Sequence, residues 1–168
     1  FPNFSASSVH SRANPRTKDT FIVLNQMHTA GVIGRYAIGG AVGATFYLEP
    51  VATMDVDVFV LLSQASTSPL LTLGPVYDYL LPRGFKAEGE YLIIGDWPVQ
   101  FLLPAGSLEE EAITEAVAQQ VDGVSVWVMT AEHLTAIALK TGGAKDYARI
   151  LQFIETGVLD VARLNAIL

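Results

Sequence analysis

The sequence predicts an α/β (α+β) fold, with a small mixed sheet flanked by helices and followed by a C-terminal helical tail. Segments with the helical spacing of apolar residues alternate along the chain with short apolar runs that are typical of strands. The chain has 168 residues, of which 51% are apolar, and this length is enough for one compact core. We therefore expect a single domain over residues 1–168, with a disordered lead-in at 1–13, a sheet core at 35–129 and the tail at 130–168.

The N-terminal elements are bounded by residues that start and stop regular structure. Asn14-Pro15 has the form of a helix N-cap followed by a proline in the first turn, and Gly31 is a natural helix end. A short strand then leads into a glycine pair, and the small residues after it favour a helix packed closely on a sheet. We place helices at 14–30 and 41–48, and strands at 36–38 and 53–62.

Turn and cap signals divide the second half of the chain in the same way. Gly95-Asp96 predicts a hairpin turn between two strands. Ser107 has the capping-box spacing that opens a helix, and Thr130 and Asp160 are suited to cap two later helices. We place helices at 70–81, 107–119, 130–141, 144–156 and 160–168, and strands at 85–94, 98–103 and 124–129.

Composition and charge exclude several classes of function. The net charge is −7 without a dense run of Lys or Arg, which argues against broad nucleic-acid binding but leaves open a local site for an RNA acceptor. The absence of cysteine excludes a disulfide framework, thiol catalysis and a cysteine metal site. No apolar run reaches the ~18 residues of a membrane helix and no secretory pattern opens the chain, so we expect a cytoplasmic protein without membrane association.

Two carboxylates on one strand are the main functional signal. Asp55 and Asp57 are separated by one residue, and because successive strand residues alternate between faces, both side chains should point the same way. Two like charges on one face of an apolar strand are costly unless a cation, a ligand or open solvent offsets them. Mg²⁺ with phosphate oxygens fits this need, because it is a hard cation that takes carboxylate ligands.

The order of these motifs resembles a known superfamily. Gly39-Gly40 stands at a strand-to-helix turn, an Asp-x-Asp strand follows about fifteen residues later, and Thr53 precedes the first Asp by two residues. The tail, with its helical segment at 130–140 and its Lys-Asp pair at 145–146, adds to the likeness. Over roughly residues 20–165 the chain is similar to the nucleotidyltransferase superfamily of the polymerase-β type, and more closely to its small prokaryotic abortive-infection toxin-like members.

The resemblance implies a reaction and a set of residues. It implies transfer of a nucleoside monophosphate from a nucleoside triphosphate (NTP) to a hydroxyl acceptor on RNA, protein or a small molecule. Asp55 and Asp57 would be catalytic and would hold Mg²⁺ or Mn²⁺. The residues that the resemblance assigns to the nucleotide are Gly39 and Gly40 near the phosphates, Thr53, Lys140 or Lys145 as a positive charge, and Asp146 to position that lysine or contact the base or ribose.

The sequence also departs from the family pattern. Gln100 stands where the third strand usually carries a third carboxylate, and glutamine can neither take a proton nor add charge to a metal site. Asp96, Glu88 and Glu90 are candidates to substitute for it, and Arg149 stands at a position that is acidic in the family. These changes keep open an alternative, a catalytically degenerate relative that binds nucleotides or a partner protein, as in a toxin–antitoxin-like pair.

Overall fold

The structure is a computed structural model that describes residues 15–49, 55–62 and 72–168. The helices are α1 (Pro15–Thr29), α2 (Gly40–Ala44), α3 (Gly74–Leu80), α4 (Ser107–Thr114), α5 (Ala131–Thr141), α6 (Ala144–Thr156) and α7 (Val161–Ile167), and a 3-10 turn covers Leu81–Arg83. The strands are β1 (Tyr36–Ile38), β2 (Val56–Val60), β3 (Lys86–Glu88), β4 (Tyr91–Ile94), β5 (Trp97–Leu102), β6 (Val117–Val121) and β7 (Val124–Val128).

The described strands form one seven-stranded mixed sheet. Its strand order is β3-β4-β5-β2-β1-β7-β6. The four inner strands combine parallel and antiparallel pairs, since β2 is parallel to β5 and antiparallel to β1, which is parallel to β7. Antiparallel hairpin partners complete both edges. The predicted fold class, a mixed sheet with flanking helices and a C-terminal helical tail, is confirmed.

The sheet has a hydrophobic core on each face because its central strands alternate. In β2 the valines at 56, 58 and 60 are fully buried in a cluster with α1 and α3. The intervening Phe59 contributes to a second cluster, which includes residues of α4, α5 and α6. Phe153 of α6 is fully buried in this second cluster, and its ring lies 6.3 Å from that of Tyr47. The tail therefore packs on the face of the sheet toward which Asp57, two residues before Phe59, also points.

In two of the hairpins, both residues of the turn have positive φ. Gly95 and Asp96 have φ of 62° and 60°, which fits the tight turn predicted at this position. Asp122 and Gly123 have φ of 49° and 81° and join β6 to β7. The Asp-Gly pair is a strong hairpin signal, and strands form on both sides of it. As a result, the helix predicted over 107–119 is wrong after Thr114, where the chain turns into β6.

Other boundaries also differ from the predictions. The single strand predicted over 85–94 is two strands, because the chain turns at Gly89 and Glu90. The capping residue of α4 is Gly106 rather than Ser107. The predicted caps of α5 and α7 are confirmed, since Thr130 and Asp160 each accept a hydrogen bond from a backbone N–H of the first helical turn.

The tail leaves much of its apolar surface exposed. More than half of the residue surface is exposed at Tyr147, Leu151, Ile154 and Val161. Among residues 15–49, 55–62 and 72–168, no helix combines the length and the apolar character that crossing a bilayer would require. The division into lead-in, sheet core and tail stays a prediction.

Candidate active site

The glycine turn is hydrogen-bonded to the strand that carries the carboxylates. The N–H of Gly39 donates to the carbonyl oxygen of Asp57 at 3.0 Å. A Cβ atom on Gly39 would lie 2.7 Å from Cε2 of Phe59, and a Cβ on Gly40 would collide with the carboxylate of Asp57. Gly40 also has φ of +56°, a conformation that side chains disfavour. Two glycines are therefore needed here, because the turn approaches β2 more closely than any side chain allows.

Asp55 and Asp57 come together at the start of β2, as the alternation of strand residues predicts. Both are partly buried. The pKa of Asp57 is raised from its usual 3.8 to about 6, first by burial and then by the charge of Asp55, with smaller contributions from a hydrogen bond with Asp55 and the charge of Glu90, while the charge of Arg149 lowers it. The site thus concentrates negative charge in a partly desolvated place, which is the environment that a divalent cation would stabilise.

A third carboxylate, on a neighbouring hairpin, adds to the negative charge that acts on Asp57. Gln100 of β5 lies directly across from Asp57 in the pairing of β2 with β5. Its Nε2 donates to Oε2 of Glu90 at 3.2 Å, and Glu90 lies in the turn between β3 and β4. The pKa of Tyr91 is raised, first by a hydrogen bond with Glu90 and also by the charges of Asp55 and Asp57. Glu90 therefore belongs to the same cluster of charges as the Asp pair.

The tail contributes an arginine to this cluster. The charge of Arg149 lowers the pKa of Asp57, so its guanidinium lies near the carboxylates. It lies 3.7 Å from Asp146, and both side chains are mostly buried. Asp146 also accepts a hydrogen bond from the N–H of Gly143 at 3.1 Å, at the start of α6. From the sequence, Arg149 was only a departure from the family pattern, whereas in the structure its positive charge acts on Asp57.

The remaining predicted residues have other surroundings. Lys140 donates to Oε1 of Glu109 at 2.7 Å, and Glu109 of α4 is only 5% exposed. This ion pair joins α5 to α4. Lys145 is exposed in the first turn of α6, and Thr53 lies outside the described residues. The roles proposed for these three residues stay predictions.

A second group of possible metal ligands lies between α4 and α5. Donor atoms of Glu111, Glu115 and His133 are within 4.8 Å of one another. His133 is fully buried and its two ring nitrogens contact Thr130 at 2.8 Å and Glu111 at 3.0 Å. Glu115 accepts from Arg163 at 2.8 Å. Each member thus has a protein partner, so the group is explained as a polar network that ties α4 to α5 and α7.

The fold is that of nucleotidyltransferase-like proteins. The chain is similar in structure to an antigenic nucleotidyltransferase-like protein from Paracoccidioides brasiliensis, with a TM-score of 0.59 and 16% identity over 84% of this chain and 74% of that one. It is also similar to the antibiotic-resistance factor ANT(2'')-Ia, with a TM-score of 0.52 and 14% identity over 90% of this chain and 89% of that one. No protein-family model and no curated protein matches the sequence.

These similarities test the predicted fold, but not the predicted subfamily. Both solved structures support the predicted fold, because each covers most of the chain. At identities of 16% and 14% the likeness defines the fold alone. The narrower placement among abortive-infection toxin-like members stays a prediction.

The contact between Gly40 and Asp57 can be tested with a matched glycine. We expect Gly40→Ala to destabilise the protein by roughly 1–3 kcal/mol more than Gly31→Ala, because overpacking adds to the strain of a positive φ. Gly31 has φ of +74°, but a Cβ there would meet no neighbouring atom within 4 Å, so Gly31→Ala isolates the backbone cost. Urea unfolding of both variants measures the difference. Equal destabilisation would show that Gly40 does not press against the carboxylate.

The raised pKa of Asp57 predicts a specific pH dependence. Between pH 3.8 and about 6 the folded protein binds more protons at Asp57 than the unfolded chain, so the free energy of unfolding should fall as pH rises through this window. Without divalent cations, Asp57→Asn should therefore be more stable than the wild type at pH 7, by roughly 1–3 kcal/mol, and the difference should shrink toward pH 4. Urea unfolding across this range measures it. A wild type at least as stable as the variant at pH 7 would contradict the prediction.

Proposed function

We propose that the protein is a nucleotidyltransferase that uses Mg²⁺ or Mn²⁺ to transfer a nucleoside monophosphate from an NTP to a hydroxyl acceptor. The observation that carries this proposal is the glycine turn bonded to Asp57, beside the second carboxylate of Asp55. The nucleotidyltransferase-like fold supports it. The donor set fits the cation, because Asp55 and Asp57 are partly buried carboxylates, the hard and negatively charged ligands that Mg²⁺ prefers.

In this proposal Asp55 and Asp57 hold the cation from the start of β2. The bound cation would neutralise charge on the phosphate oxygens and so favour attack by the acceptor hydroxyl on the α-phosphorus, with pyrophosphate as the leaving group and the hydroxyl proton released to solvent. Gly39 and Gly40 contribute by having no side chains, because a Cβ on Gly39 would press on the ring of Phe59 and a Cβ on Gly40 would take the place of the Asp57 carboxylate. Because the N–H of Gly39 already donates to Asp57, its role is to hold the turn against β2 rather than to bind phosphate.

Positive charge for the triphosphate would come from the tail. Arg149 lies near Asp57, and its ion pair with Asp146 orients the guanidinium. A guanidinium is suited to phosphate because its N–H groups match two oxygens at once. Lys145 is exposed at the start of the same helix and is available for a similar contact. Lys140 would have to leave its ion pair with Glu109 to take part.

A second candidate is a catalytically degenerate relative that binds a nucleotide or a partner protein. The amide of Gln100 at the position across from Asp57 favours it, as does the exposed apolar surface of α6. An acceptor on RNA belongs with the active enzyme, a toxin–antitoxin-like partner belongs with the degenerate relative, and a cytoplasmic location is proposed for both. Thermal unfolding with NTP and metal separates the candidates, because a ligand that binds only the folded state raises its stability.

The central experiment is label transfer from α-labelled NTPs with Mg²⁺ or Mn²⁺. Total RNA, cell protein and a polyhydroxylated small molecule are offered as acceptors. We expect transfer by the wild type and a loss of at least about 100-fold in Asp55→Asn, because the residue would act directly on developing charge. Asp122→Asn is the control, since it removes a carboxylate from the turn between β6 and β7, the two strands at one edge of the sheet.

The label-transfer and thermal-unfolding experiments together distinguish the candidates. Equal transfer by the wild type and Asp55→Asn would contradict the proposed site. Stabilisation of the wild type by nucleotide, without transfer to any of the acceptors, would favour the degenerate relative. Absence of both responses would favour a role in protein interaction.

A further inference from the structure

Strand β6 forms one edge of the sheet and lacks the features that usually protect such an edge. It runs from Val117 to Val121 without a charged residue or a proline. In the described part of the chain, β7 is the one strand that pairs with it. The strand at the opposite edge, β3, has three residues and carries the charges of Lys86 and Glu88. Short and charged edge strands resist pairing with another chain, whereas a longer uncharged strand favours it.

The backbone groups that β6 directs outward are those of Ala118 and Gln120. The turn between β6 and β7 has two residues, so Val121 and Val124, on either side of it, exchange hydrogen bonds. Because residues of an antiparallel pair alternate between bonded and non-bonded positions, the N–H and C=O of Ala118 and Gln120 point away from β7. Both residues are exposed. They therefore offer a row of donors and acceptors to another strand.

This outward row is complementary to a second copy of itself. When two β6 strands meet antiparallel about Gln119, Ala118 of each copy lies across from Gln120 of the other, and each such pair can exchange hydrogen bonds in both directions. Val117 then lies across from Val121, and Gln119 from Gln119, so no like charges of β6 face each other. A two-fold axis at Gln119 thus gives the outward backbone groups a partner.

Apolar side chains along this edge also favour a second copy. Val117 is 38% exposed, although Val121, on the same face of the strand, is buried in the core. In the two-fold pair these valines of the two copies would cover each other, which extends the core from one copy to the next. On the other face, Trp127 is 37% exposed beside Ala118, and Gln120 of the second copy would lie across that alanine.

The acidic residues at the two ends of β6 have a cation nearby. Glu115 precedes the strand and Asp122 follows it, so the two would approach each other in the antiparallel pair. Glu115 already forms an ion pair with Arg163 at 2.8 Å, and Arg163 is exposed. The guanidinium therefore offsets the repulsion at the place where the two acids would meet.

We propose that β6 is a dimerisation edge, at which two copies of the chain join their sheets through an antiparallel β6–β6 pair with Gln119 at the two-fold axis. This inference goes beyond the proposed reaction and does not depend on it, because β1 and β7 separate β6 from β2. Its test measures association alone.

Sedimentation velocity at protein concentrations from about 5 to 500 µM tests this dimer, since a single strand pair makes a small interface. We expect the wild type to shift from monomer to dimer. Ala118→Pro should weaken dimerisation at least about 10-fold, because it removes an outward N–H from each copy but no bond to β7. Ala87→Pro is the matched control on the other edge. The two-residue turn between Glu88 and Tyr91 directs the N–H of Ala87 outward as well, and this variant should dimerise like the wild type.

A change of charge at the axis tests the register. Gln119→Lys and Gln119→Glu should each dimerise roughly 3- to 10-fold more weakly than the wild type, because like charges then face each other, and an equal mixture of the two should recover dimers. In the wild type, the amides of Ala118 and Gln120 should exchange with deuterium more slowly as the protein concentration rises.

Three results would overturn the β6 dimer. The first is a wild type that stays monomeric at every concentration. The second is equal weakening by Ala118→Pro and Ala87→Pro, and the third is a dimer that neither Ala118→Pro nor Gln119→Lys weakens, which would form through another surface such as the exposed apolar side of α6. Circular dichroism confirms the fold of each variant, and if Ala118→Pro does not fold, the Gln119 variants decide.

Discussion

The close approach of the Gly39-Gly40 turn to strand β2 is the constraint on which the rest of the site depends. The hydrogen bond from Gly39 to the carbonyl of Asp57 fixes the turn to the strand, and the missing side chain of Gly40 leaves room for the Asp57 carboxylate. Because β2 is buried on one face by three valines, its alternate residues must face the turn. The backbone of β2 therefore directs the Asp57 carboxylate toward the turn. The buried valines on the opposite face prevent a shift in the register of β2.

Concentrating carboxylates in one place has an energetic cost that a ligand can offset. Burial and neighbouring negative charges raise the pKa of Asp57 to about 6, so at neutral pH the ionised Asp57 makes the folded protein less stable than a neutral side chain would. Arg149 offsets part of the repulsion from the tail, and Gln100 holds Glu90 by a neutral donor. A site that is unfavourable by itself and favourable with a cation is common where function, rather than stability, selects the residues.

The sequence predicted the parts of the structure that depend on local signals. The alternation of helices and strands, the Gly95-Asp96 turn and the caps at Thr130 and Asp160 follow from short-range chemistry, and each is confirmed. Strand β6 was not predicted, because the capping-box spacing at Ser107 favours a long helix and the competing Asp-Gly turn signal lies beyond its end.

Which residues surround the Asp pair depends on tertiary structure more than on local sequence signals. Asp55 and Asp57 could be paired from spacing alone, since they lie on one strand. Glu90 and Arg149 could not be placed, because their positions depend on where a hairpin and a helix pack against β2. A strand predicted over 85–94 would have put Glu90 in mid-strand, and only the observed turn carries it to Gln100.

The most direct measurement is paramagnetic broadening of the ¹⁵N-labelled protein by substoichiometric Mn²⁺. We expect the amide signals of Gly40, residues 56–58 and Gln100 to broaden first, while those of the Asp122-Gly123 turn are unchanged. The competing location is the group formed by Glu111, Glu115 and His133, whose possible ligand atoms lie within 4.8 Å of one another. Broadening centred on α4 and α5, with residues 56–58 unaffected, would contradict a metal site at the Asp pair.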